Sequence, residues 1–146
     1  MIKVERNILL PVPLETAFSY LEDFERTEEW DPGTVRCVRV DTGPVRPGST
    51  WHNTSRFLGR TTDLSYRLEA RDPARLVFVG VNSTVTAKDE LLFAAHSAEA
   101  TLLTYQASFR FKGLAGLAEP LLRTKFERLA DAVTERLPSV LAQHAR

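Results

Sequence analysis

Four side chains in this sequence combine proton chemistry with an apolar setting: Tyr66, Asp89, Tyr105 and Lys125. Tyr66 alternates with Leu64 and Leu68, Tyr105 with Leu103, Ala107 and Phe109, and Asp89 with Leu91 and Phe93. In an extended chain every second residue shares a face, so each of these polar groups faces the same way as its apolar neighbours. Lys125 interrupts the apolar arc of a C-terminal helical pattern, between Leu121 and Leu129. Its ammonium either pairs with Asp89 or a ligand carboxylate, or reaches water along its aliphatic stem. Arg136 lies near the same arc but close to its end, where reaching water is easier. Such groups suit general acid–base catalysis.

Other polar residues share the apolar faces, and burying them without a partner is costly. Trp51, Asn53, Ser55 and Phe57 fall on one face, and so do Phe78, Gly80 and Asn82. If those faces point inward, Asn53, Ser55, Asn82 and Asp89 can orient the oxygens of a ligand. For Asn82 and Asp89 the competing expectation is a strand end or bulge that turns them to water. A one-residue slip in register reverses every one of these assignments. The strand aromatics Trp51, Phe57, Tyr66, Phe78, Phe93, Tyr105 and Phe109, with Phe126 and Leu129 from the helical arc, either line an apolar pocket or fill a core.

Several chemistries lack their residues. His52, His96 and His144 are far apart, and no H-E-x-x-H or C-x-x-C spacing occurs, so no metal site is expected. There is no G-x-S-x-G elbow. Gly113-Leu114-Ala115-Gly116 precedes a helix but lacks the Lys-Ser/Thr of a phosphate loop, and reads as a hinge or lid. No cofactor is expected. The single cysteine, Cys37, cannot form an internal disulfide and reads as a small apolar residue.

The elements that must position these residues follow from periodicity and punctuation. Residues 2–10 alternate as a strand and stop at Pro11 and Pro13. Leu14, Ala17, Phe18 and Leu21 make one helical face over 14–22, and a second short helix over 24–30 ends at Trp30-Asp31-Pro32-Gly33. Six extended stretches follow: 34–41, 49–58, 61–71, 75–82, 84–94 and 99–111. Short turns join them, including a tight connection at Gly59-Arg60 that predicts a hairpin. From 117 to 141 the period becomes helical, with Leu121, Leu122, Phe126, Leu129, Val133 and Leu137 on one arc. Pro120 suits the first turn of that helix, and Pro138 kinks or ends it. Consecutive strands with short turns predict an antiparallel sheet, and the long helix is the element large enough to cover its buried face.

The 146 residues suit one domain, 1–146, and hydrophobic (43%) and charged (26%) fractions are those of a soluble globular protein. Nineteen basic residues balance nineteen acidic ones. That balance, without a basic stripe, argues against nucleic acid as a partner. No run approaches the roughly 18 apolar residues of a membrane span, and the N-terminus lacks a signal-peptide pattern. The expected location is cytoplasmic.

The order of elements, together with Pro13-Leu14-Glu15-Thr16-Ala17-Phe18, Trp30-Asp31-Pro32, Gly48-Ser49-Thr50-Trp51 and the glycine-bearing turn before the long helix, resembles the START-like (SRPBCC) superfamily in its polyketide cyclase/dehydrase-like branch. The resemblance spans almost the whole chain. It implies an α+β helix-grip fold, a curved antiparallel sheet of about seven strands around a C-terminal helix, with a hydrophobic cavity between them. It implies a small apolar or aromatic ligand, lipid- or polyketide-like. A second implied function is a polyketide cyclase or dehydratase, for which Tyr66, Asp89, Tyr105 and Lys125 are the candidates. A third is a protein-interaction module, favoured by an exposed apolar patch near 113–120. One fold hosts many activities, so the site must decide among these.

Overall fold

The computed structural model describes residues 1–57 and 59–145. The first strand, β1 (Ile2–Leu10), buries Ile2, Val4, Ile8 and Leu10 on one face. Helix α1 (Leu14–Glu22) follows, then a 3-10 turn (Phe24–Arg26) and the short helix α2 (Thr27–Trp30). Six strands come next: β2 (Thr34–Arg39), β3 (Thr50–Phe57), β4 (Arg60–Asp72), β5 (Arg75–Val81), β6 (Val85–Ser97) and β7 (Ala100–Phe111). A 3-10 segment (Gly113–Ala118) leads into α3 (Glu119–His144). Leu58, the last residue of the stretch expected to be extended, lies outside the described residues. Phe57 pairs with Arg60 across that turn, where Gly59 adopts a φ of 77° that a side chain would disfavour.

The strands form one seven-stranded antiparallel sheet in the order β1-β7-β6-β5-β4-β3-β2. Six of them are a meander, and β1 returns to flank β7, with Ile2 opposite Phe109 and Leu10 opposite Thr101. Register shifts between Leu68 and Ala70 on β4, and between Ala95 and Ser97 on β6, mark bulges, the features that bend and twist a sheet. Helix α3 covers part of the buried face of the sheet, in the arrangement expected for a helix-grip fold, and the short helices cover the rest. The helix packs against β1, and Arg6 fastens the two together. Its guanidinium donates to Asp131 Oδ1 (3.0 Å), Glu127 Oε1 (3.0 Å) and the Glu127 carbonyl (3.1 Å).

Two details of α3 differ from expectation. The helical period predicts a start at 117, but Leu117 and Ala118 belong to the 3-10 segment, and the α-helix begins at Glu119 with Pro120 in its first turn. The helix also passes through Pro138 to His144. Leu137 and Leu141, on either side of the proline, are fully buried, and their packing offsets the missing backbone bond.

Candidate functional site

Along the strands the concave face divides into two halves. In one half the small helices plug the sheet. Phe24 stacks on Phe78 at 4.3 Å and meets Trp51 at 5.7 Å, while Phe18 from α1 packs on Phe93 at 5.3 Å. Leu68, Leu76 and Leu103 complete a solid core there. In the other half neither of those helix rings fills the face, and α3 stands off the sheet. The gap is a cavity of about 140 Å³.

Aromatic rings wall the outer end of the cavity. Phe126 of α3 stacks on Phe57 (4.6 Å) and on Phe109 (4.1 Å), with Phe111 beyond at 6.2 Å. The α3 wall continues through Leu129, Ala130 and Val133. Helical spacing puts these residues on the face that meets the sheet. Toward the plugged half the lining turns polar, with Asp31, Ser55, Tyr66, Asp89 and Tyr105.

Each polar group is held by its own element. Tyr66 on β4 faces Gly80 on β5 in register. A Cβ at Gly80 would lie 2.5 Å from the Tyr66 ring, so the glycine is what lets the tyrosine lie flat against the sheet. Tyr105 on β7 and Asp89 on β6 face the same side, and the Tyr105 hydroxyl donates to Asp89 Oδ1 at 3.4 Å, a long bond. Trp30 packs edge-on against Tyr105 at 6.0 Å and fixes the ring from behind. Asp31 ends α2. Its Oδ1 accepts the Gly33 N–H (2.9 Å) and its Oδ2 the Thr34 hydroxyl (2.9 Å). The loop is tied to the sheet by the Arg56 N–H, which donates to the Gly33 carbonyl at 2.8 Å.

Two carboxylates in an apolar cavity perturb each other and their neighbours. Burial pushes Asp89 up to about 7, and the nearby Asp31 charge adds to that. The Tyr105 hydroxyl opposes both. Burial also raises Asp31, against the pull of its Gly33 and Thr34 hydrogen bonds. Tyr66 and Tyr105 are held well above the ordinary phenol value, first by burial and then by the two aspartates. Near neutrality Asp89 therefore exchanges its proton readily, while both tyrosines remain donors.

The residues singled out from the sequence separate along this division. Ser55, Phe57, Tyr66, Asp89, Tyr105, Phe109, Phe126 and Leu129 come together around the cavity. Trp51, Asn53, Phe78 and Phe93 do not. They share the predicted face but lie in or beside the plugged half, buried against helix rings or, for Asn53, accepting the Ser55 hydroxyl at 2.6 Å. Lys125 is exposed. The buried phase of α3 runs through Phe126, Ala130, Val133, Leu137 and Leu141, which leaves both Lys125 and Leu121 on the outside. Arg136 is exposed as well. Asn82 builds the β5–β6 turn, accepting the Thr84 and Val85 N–H groups at 2.8 and 2.9 Å. Asp31 was absent from the sequence-derived site. The signal was the Trp30-Asp31-Pro32 segment, read as punctuation and as a carrier of family resemblance.

The chain matches, over residues 1–142, the family model described as polyketide cyclase/dehydrase and lipid transport. No curated protein matches it. Among solved structures it is similar to the Zhui aromatase/cyclase from Streptomyces sp. R1128, with 18% identity and a TM-score of 0.81 over 99% of this chain and 95% of that one. It is also similar to a START superfamily protein from Mycobacterium smegmatis, with 14% identity and a TM-score of 0.81 over 97% of each chain. A protein from Thermus thermophilus gives 14% identity and a TM-score of 0.82 over 99% of each chain. At these identities the structural likeness speaks for the fold. With the family model spanning almost the full length, the chain belongs to the polyketide cyclase/dehydrase and lipid transport family, and its fold is START-like.

Proposed function

We propose that this protein binds a small, largely apolar ligand that carries at least one oxygen or nitrogen function. The observation behind this is the two-ended cavity: stacked rings of Phe57, Phe109 and Phe126 at one end, Tyr66, Tyr105 and Asp89 at the other. Such a pocket binds through apolar contact and orients through a few polar groups. Tyr66 and Tyr105 are donors and Asp89 is an acceptor when ionised, so a ligand carbonyl and a ligand hydroxyl each have a partner. The test is native mass spectrometry with organic extraction, followed by calorimetry with phenol and 2-naphthol. A discrete co-purifying apolar molecule, or saturable binding of either probe that Phe126→Ala weakens, is the expected result. An empty protein that binds neither probe overturns the proposal.

The Asp89 pair favours a second reading, a cyclase or dehydratase. Closing a ring by carbon–carbon bond formation needs a base at the carbon beside one carbonyl and an acid at the carbonyl attacked. A carboxyl that titrates near 7 can take the first proton, and a tyrosine hydroxyl can hydrogen-bond the developing alkoxide. With a synthetic poly-β-keto thioester as substrate, Asp89→Asn should lower turnover by about 100-fold or more while leaving binding within about threefold. Equal turnover by the variant removes the catalytic role and leaves the binding role standing.

A further inference from the structure

The start of the C-terminal helix carries a second apolar face that its packing against the sheet does not use. Leu114, Leu117 and Leu121 are 86%, 77% and 82% exposed. In the 3-10 segment residues three apart lie directly above one another, so Leu114 and Leu117 form one row. Leu121 is four residues further on, at the first turn of α3, and extends the row. Beyond it the same outer stripe, at spacings of four and three, holds Lys125 and then Arg128, both exposed. The inner side of the same turns, with Leu122, Phe126 and Leu129, faces the core and cavity. This segment is therefore apolar on two sides, and only one side has a protein partner.

The charged residues in this stretch are mostly cations. Residues 110–128 contain five cations, Arg110, Lys112, Arg123, Lys125 and Arg128, all exposed, and two carboxylates, Glu119 and Glu127. Both carboxylates are already engaged. Glu119 meets the Met1 ammonium at 2.6 Å and accepts the Phe111 N–H at 3.2 Å, and Glu127 accepts from Arg6 at 3.0 Å. Among the described residues none of the five cations forms an ion pair with a carboxylate. The chain as a whole is neutral, so this local excess belongs to this face.

We infer that the face formed by Leu114, Leu117 and Leu121, continued by Lys125 and Arg128, docks onto an anionic lipid surface. A row of leucines flanked by cations is what an interfacial helix presents: the apolar side chains enter the acyl boundary while the cations meet lipid phosphates. A soluble apolar partner would explain the leucines but not Lys125 and Arg128 on the same stripe, nor the local excess of exposed cations. The inference rests on exposure and charge alone and stands apart from what the cavity holds.

The test is co-sedimentation of the intact protein with two kinds of vesicle, phosphatidylcholine alone and phosphatidylcholine mixed equally with phosphatidylglycerol. Partitioning onto the anionic vesicles should be about tenfold stronger at low salt and should collapse in ~0.5 M salt. The triple change Leu114→Ser, Leu117→Ser and Leu121→Ser should abolish it without altering the melting temperature, because these side chains contribute nothing to the core. Lys125→Gln with Arg128→Gln should weaken binding to anionic vesicles and leave the weak binding to neutral ones unchanged. Equal binding to both vesicle types overturns the inference, and so does a leucine variant that binds as well as the parent. If the parent instead self-associates, the leucine variant is monomeric and neither binds vesicles, the face belongs to a second copy of the chain and the lipid assignment is wrong.

Discussion

Asp89 shows how far a single side chain depends on where the sheet places it. In the unfolded chain an aspartate titrates near ~4; in the fold, burial and the Asp31 charge move Asp89 to about 7. Between those values the folded state holds a proton that the unfolded state has lost. Stability therefore falls as pH rises through that window and levels off above it. Asp89→Asn removes this group's titration and the cost of its buried charge. Thermal melts from about pH 5 to about pH 8 should show the variant more stable than the parent at the alkaline end, with a flatter slope. Some slope of the same sign persists because Asp31 is also raised. A variant whose curve is superimposable on the parent's would mean that Asp89 stays ionised in the fold. Sequence alternation already put Asp89 on a face with Leu91 and Phe93. Its coupling to Asp31 was not legible, because the two are far apart in the chain and are brought to one cavity only by the sheet.

At the scale of elements, the cavity exists because different parts of the concave face receive different covers. The rings of Phe18 and Phe24 fill one half, and α3 bridges the other. Between the halves, Tyr66 lies over Gly80, and this contact between β4 and β5 sets the position of one polar wall. Gly80→Ala should displace the Tyr66 ring and cost about 1–3 kcal/mol of stability, the usual penalty for overpacking. Denaturant unfolding measures the loss, and a crystal structure of the variant should show the ring shifted into the cavity. Unchanged stability would mean that the ring moves freely and is not held by the glycine. The strands and the inward faces of β3, β4, β6 and β7 were readable from period-two patterns. The position of the plug along each strand was not. Trp51, Phe78 and Phe93 share their faces with cavity residues, and alternation carries no information about which part of a strand a helix will cover. On α3, one misplaced helical phase was enough to bring Lys125 and Leu121 into the expected arc, although both are exposed.

For the whole molecule, size is the controlling quantity. An apolar cavity of roughly 150 Å³ admits a benzene-sized molecule, whereas sites for drug-sized ligands run to about 300–1,000 Å³. At about 140 Å³ this cavity accepts a single ring as it stands. A larger ligand must move a wall, and the candidate is the stretch of α3 that carries Phe126, Leu129, Ala130 and Val133. Amide hydrogen exchange should therefore change across residues 126–133 when anthraquinone binds and stay nearly constant when phenol binds. An identical response to both would place the movable wall elsewhere. By itself the sequence determined the elements, their order and the family resemblance, because local periodicity, proline and glycine act within a few residues of themselves. Only the tertiary structure decided that β1 closes against β7, that half of the concave face is plugged, and that Asp31 joins Asp89. Each depends on contacts between residues distant in the chain, where packing rather than local preference selects the partner.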